Sequence, residues 1–194
     1  MSWTLSSLFG IVEFDQWNAT VPGGPAMSGD TELDTGLLRK AIALGEEAGR
    51  RGNRPFGAVI ATSDGVVLAE GRNEVAESGT VTAHAELTAL TAAGRLPDLA
   101  DATVYASGEP CPMCSAAMVW AGVSRIVFAA AEPDFGAIIG GHPRFTLRCA
   151  QVVAASDAEI EVSGPHLGEE ALAPFVRYAD KLRESGTDGR GPVR

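Results

Sequence analysis

The sequence predicts a layered α/β domain, and three observations carry that expectation. Short apolar and β-branched runs alternate with helix-forming stretches along the chain. Two stretches rich in metal-binding residues, His84-Ala85-Glu86 and Pro110-Cys111-Pro112-Met113-Cys114, fall at helix starts, where ligand crevices of such sheets usually lie. With 194 residues, 45% of them hydrophobic and 21% charged, the composition is that of one globular domain with a sizeable core.

Residues 1–30 hold two of the three tryptophans and end in the turn-rich Val21-Pro22-Gly23-Gly24-Pro25. Their apolar residues are too many for a solvated tail, so this extension is expected to pack on the domain or on a partner subunit. Residues 31–184 form the domain. Asp34 or Thr35 is expected to cap a helix running to about Gly49, with Leu37, Leu38, Ala41, Ile42, Leu44 and Ala48 on its apolar side. Pro55 to Ile60 opens a strand, Ser63-Asp64-Gly65 turns, and Val66 to Gly71 returns as a hairpin partner.

Helix formers follow His84 from Glu86 to Leu90, which places His84 and Glu86 in a first helical turn, where free N–H groups favour negative charge. Gly94-Arg95-Leu96-Pro97 breaks the chain, and Ala102 to Ala106 reads as a strand leading into the cysteine helix. Pro110 and Pro112 suit a helix start, where a missing N–H costs nothing, and Ser115 to Ala121 continue that helix. Ser124 to Ala129 is the next strand, and Asp134 to His142 reads as a loop. Residues 185–194 read as a disordered tail.

Cysteines two residues apart can aim both sulfurs at one metal, and a distant histidine supplies a third ligand. One corner of a zinc tetrahedron then stays open for water. A C-x-x-C pair alone also serves structural zinc half-sites and redox pairs; the accompanying H-x-E points to catalytic zinc. Cys149 as a fourth ligand would close the site, but structural sites usually draw their ligands as two close pairs, so Cys149 is expected to be a small buried hydrophobe. Glu86 is expected to be a proton carrier and not a ligand.

With the strand Pro55, Gly57, Ala58, Val59 and the pair Gly71 and Asn73, these motifs resemble the cytidine deaminase-like superfamily of zinc-dependent deaminases, in the branch of guanine and tRNA adenosine deaminases. The resemblance runs from about Leu37 to Phe128. It implies a three-layer fold: a five-stranded mixed sheet with helices on both faces and the last strands parallel. A strand near Glu159 to Ser163 and a helix from Gly168 to Glu184 would complete it. It also implies a homodimer, with Asn73 contacting substrate and Trp120, six positions after the second cysteine, walling the pocket. A turn role for Asn73 and a core role for Trp120 are the alternatives.

The chemistry implied is hydrolytic removal of ammonia from an aminated ring. Zinc makes water nucleophilic near neutral pH, Glu86 moves the protons, and the Ala85 N–H is a candidate to bind the carbonyl of the base. Guanine deaminases carry an acidic stretch in the loop after the strand ending near Ala130, and here that loop, Asp134 to His142, has Asp134 as its only acid. Other purines, pterin, triazine or cytosine therefore stay open beside a purine of the guanine type, and His142 reads as a loop residue with no role.

Charge sets the partner expected. The chain has 15 Lys+Arg against 25 Asp+Glu, a net charge of −10, and no basic run exceeding two. Nucleic acid is disfavoured by such a field, leaving a small nucleobase or nucleoside as the expected partner and tRNA adenosine as the runner-up. A non-catalytic zinc module is the competing class, disfavoured by Glu86 and the absent fourth ligand. Three cysteines with no evident pairing, no membrane-length apolar stretch and no Lys or Arg before Arg39 suggest a cytoplasmic protein without a secretory signal.

Overall fold

The computed structural model describes residues 31–94, 99–141 and 143–186. Expectations for residues 1–30, for Arg95-Leu96-Pro97, for His142 and for most of the tail 185–194 lie outside these residues. Within them the chain runs α1 (Glu32–Arg50), β1 (Gly57–Ala61), β2 (Val67–Arg72), α2 (Val75–Ser78), α3 (Ala85–Ala93), β3 (Thr103–Gly108), α4 (Pro112–Ala121), β4 (Arg125–Ala130), α5 (Glu132–Ile139), α6 (Cys149–Ala154), β5 (Glu161–Ser163) and α7 (Gly168–Glu184). The sheet order is β2-β1-β3-β4-β5. β1 is antiparallel to β2 and β3, while β3, β4 and β5 are parallel, the mixed sheet that the resemblance implies.

Side-chain alternation along buried strands builds two cores. Val59, Ala61, Tyr105 and Val127 face one side, where α1, α5 and α7 pack through Leu38, Ala41, Phe135 and Phe175. Ala58, Ile60, Val104 and Ile126 face the other, covered by Ala85 and Ala89 of α3, Met118 of α4 and Cys149 and Val153 of α6. Gly57 and Gly71 let the layers close. A Cβ at Gly57 would collide with the Ala41 carbonyl of α1, and one at Gly71 with the Ala85 carbonyl at the start of α3. Gly71 thus brings the strand end before Asn73 against the histidine-bearing helix.

Two expectations are corrected. Thr31, not Asp34 or Thr35, caps α1: its Oγ1 accepts the Asp34 N–H at 3.0 Å. Asp34 is instead a buried residue of the first turn of α1, where it accepts bonds from Arg125 (2.8 and 3.1 Å) and the Tyr105 hydroxyl (2.8 Å). Burial works to raise its pKa, yet those donors hold it below the ordinary aspartate value. The segment read as a loop after Ala130 is largely helical, because Pro133 suits a first turn and glycine defers the stop to Gly140. Two short helices, α2 and α6, escaped the sequence reading, being too brief to show a period.

Candidate active site

His84 and Cys111 each stand one residue ahead of a helix, as N-caps with extended backbone (φ −73°, ψ 153° and φ −67°, ψ 166°). Their carbonyls accept the first helical bonds, from Thr88 (2.8 Å) and Ser115 (2.9 Å). The Ser115 hydroxyl also donates to the Cys111 carbonyl at 2.9 Å, with the Pro110 carbonyl at 3.2 Å. Two helix starts therefore meet. The His84 Nδ1 lies 3.6 Å from the Cys111 sulfur and 3.5 Å from the Cys114 sulfur, and the sulfurs are 3.6 Å apart.

That triangle fits zinc. A tetrahedron with Zn–S near 2.3 Å and Zn–N near 2.0 Å has edges of about 3.8 Å between sulfurs and about 3.5 Å between sulfur and nitrogen. Electrostatics agree with the geometry. Interaction with Cys114 holds the Cys111 thiol down, to about 4, while the same interaction and burial push Cys114 far up. Side by side the pair ionises only one sulfur readily; a divalent cation at their common corner lets both serve as thiolates. Interaction with Cys111 raises the His84 pKa against the effect of burial. Among the described residues no other group of His, Cys, Asp or Glu converges so.

Glu86, two residues beyond His84 in the first turn of α3, is 5% exposed. Burial raises its pKa, and the neighbouring Cys111 sulfur adds to that rise. Cys149 is fully buried in the core beside Met118 and outside the ligand triangle, its thiol pushed up to about 11 by burial.

Asn73 is buried at the end of β2. Its Oδ1 accepts the Val75 N–H at 3.3 Å, and its amide nitrogen makes no bond within the described residues. The Glu74 N–H donates to Ala83 at 2.9 Å, which keeps Asn73 beside the His84 turn. Ala85 is buried as the first residue of α3, where a backbone N–H has no partner inside the helix. The remaining two side chains face solvent. Trp120 is 86% exposed on α4, in an open groove containing none of His84, Glu86, Cys111 or Cys114. Asp134 is exposed on the first turn of α5.

Residues 31–130 match the family described as the cytidine and deoxycytidylate deaminase zinc-binding region. The chain belongs to this family. A probable cytosine deaminase of Schizosaccharomyces pombe is 33% identical to this deaminase over 156 residues, 77% of this chain and 94% of that one. The guanine deaminase of Bacillus subtilis is 43% identical over 102 residues, 50% of this chain and 65% of that one. Among solved structures, NE0047 in complex with 2,6-diaminopurine superposes with a TM-score of 0.66 at 29% identity, covering 76% of this chain and 82% of that one. The deaminase is accordingly a hydrolase of C–N bonds in a nucleobase and nucleoside deaminase family, and His84, Cys111 and Cys114 are the residues that fit its zinc.

Sequence reasoning missed Glu109, Arg148 and Arg54 near this centre. Glu109 directly precedes the cysteine motif at the end of a fully buried strand, and a charge in that position was the available signal. Arg54 donates to the Gly140 carbonyl at 3.3 Å and is the cation whose field reaches His84.

Proposed function

We propose that the deaminase removes ammonia from a free nucleobase or nucleoside, a purine of the guanine type, with Glu86 carrying the protons. The observation that carries the small-molecule reading is the pairing of the basic residues. Arg39 is matched to Glu170, Arg51 to Glu77, Arg72 to Glu74 and Glu77, Arg125 to Asp34, Arg144 to Glu132, and Arg148 to Glu109 and Glu132. Cations already neutralised by carboxylates, on a chain of net charge −10, leave little to hold a phosphate backbone. The ligand of NE0047, an aminated purine, supports the choice of ring.

His84, Cys111 and Cys114 would hold the zinc, which would supply a Lewis acid able to make water nucleophilic near neutral pH. Glu86 is buried, outside the ligand set and held above the ordinary carboxylate range, so its carboxyl suits both taking a proton and returning one. It delivers that proton to the ring nitrogen as the hydroxyl adds to the amine-bearing carbon, then takes the proton of that hydroxyl as the carbonyl forms and passes it to the amine, which leaves as ammonia. The Ala85 N–H and the Asn73 amide nitrogen are the donors placed to orient ring acceptors. The free cysteines suit the reducing cytoplasm.

A panel of guanine, guanosine, adenine, cytosine and cytidine, beside an anticodon stem-loop containing adenosine, tests the substrate by ammonia release. Guanine-type rings should turn over fastest. Fastest conversion of cytosine would move the reading toward the fission-yeast relative, and conversion of the stem-loop alone would replace it with tRNA.

The exposed Trp120 supports a homodimer. It stands with Leu87, Leu90, Leu99 and Ala117 on a groove of about 930 Å³ between α3 and α4, an apolar surface of the kind that subunits cover. Light scattering should give twice the 20.1 kDa chain mass, and Trp120→Glu should give one chain. A monomeric parent would refute the pairing.

A further inference from the structure

Glu109 is buried between the last residue of β3 and Pro110-Cys111, and the chemistry above does not use it. Its backbone N–H donates to the Ala130 carbonyl at 2.7 Å, tying it to the end of β4. Both carboxylate oxygens are filled by donors from elsewhere in the chain. Oε1 accepts the Cys149 N–H at 3.1 Å; Oε2 accepts the Glu132 N–H at 3.2 Å and the Arg148 guanidinium. Glu132 and Cys149 are the first residues of α5 and α6, so one side chain gathers two helix starts at the point where the chain enters its cysteine ligands.

The clamp is braced on both sides. Arg148 also gives Nη1 to Glu132 at 3.1 Å, and Arg144 holds the same carboxylate at 2.7 Å and the Gly136 carbonyl at 3.3 Å. On the ligand side, Ser115 in the first turn of α4 donates to the Cys111 carbonyl, and Cys149 packs in the same core cluster as Met118 of α4. Outer partners of this kind set ligand orientation and typically change metal affinity about 10- to 100-fold when lost.

We propose that Glu109 is a positioning residue of the metal centre. By holding the starts of α5 and α6 against the strand end, it sets the backbone course through Pro110 and Cys111. That course places the two sulfurs relative to the His84 nitrogen. The inference does not depend on which ring is deaminated.

A purely structural role would lower stability without a specific effect on metal, and the test separates the two. Zinc affinity is measured by competition with a chromophoric chelator, the cobalt-substituted protein is examined for its thiolate charge-transfer band, and thermal unfolding is recorded alongside. Glu109→Gln keeps the volume but offers one acceptor oxygen where three donors converge. Zinc affinity should fall about 10- to 100-fold and the cobalt band should change. Asp34→Asn is the control, because it weakens the Arg125 pair at the opposite end of the parallel strands. It should lower the unfolding temperature and leave zinc affinity unchanged. Should Glu109→Gln fail to fold, Arg148→Lys reads the same effect. It keeps the charge, is partly exposed, and loses the fork that reaches both carboxylates. Parental zinc affinity and cobalt spectrum in the folded variant, or a loss no larger than that of Asp34→Asn, would overturn the proposal.

Discussion

Glu86→Gln should keep its zinc and its fold while turnover falls by at least about 10²–10⁴-fold, the range that general acid–base catalysis contributes. The substitution preserves shape in a buried site and touches none of the three ligand atoms. Removing a buried carboxyl that burial already disfavours as an anion should not destabilise the protein. Because the lost proton transfer acts in the transition state, kcat and kcat/KM should fall together. Zinc content by mass spectrometry and steady-state ammonia release are the two measurements. Activity within a few-fold of the parent would mean that the protons travel by another route.

Loss of a ligand should be more severe. Cys114→Ser should purify with little zinc, whereas Cys149→Ser should keep one zinc per chain, since the Cys149 sulfur lies outside the triangle. Structural zinc sites contribute about 10–16 kcal/mol of apparent binding free energy, so a fold built around two facing helix starts should also lose stability when the metal goes. Thermal unfolding with and without a chelator measures that coupling. Full zinc occupancy in Cys114→Ser would sink the ligand assignment.

Much of the site was legible because zinc chemistry restricts ligand types and local geometry restricts their spacing. Cys111 and Cys114, three apart on one helix start, could be paired from the sequence, and Pro110 and Pro112 marked where that helix begins. The strands were legible for a similar reason, since runs such as Ala58-Val59-Ile60 and Val104-Tyr105-Ala106 are apolar on both faces. Asp34 was misread because its charge and position suit a cap, while its actual partners, Tyr105 and Arg125, lie 71 and 91 residues away. The short α6 shows no period of its own; its first N–H is taken by Glu109, 40 residues earlier.

The amino-acid sequence by itself determined the three residues that fit zinc, the alternation of strands and helices, and the net negative charge, because each is set by residue identity and spacing over a turn or two. Tertiary structure alone decided that Trp120 stands in solvent on an apolar groove, that the Asn73 amide nitrogen makes no bond among the described residues, and that Glu109 joins two helix starts to the end of β3. The physical reason is common to all three. Which side of an element meets a neighbour, and which donor finally fills a buried carboxylate, depends on how segments far apart in the chain pack together. No local pattern encodes that distance.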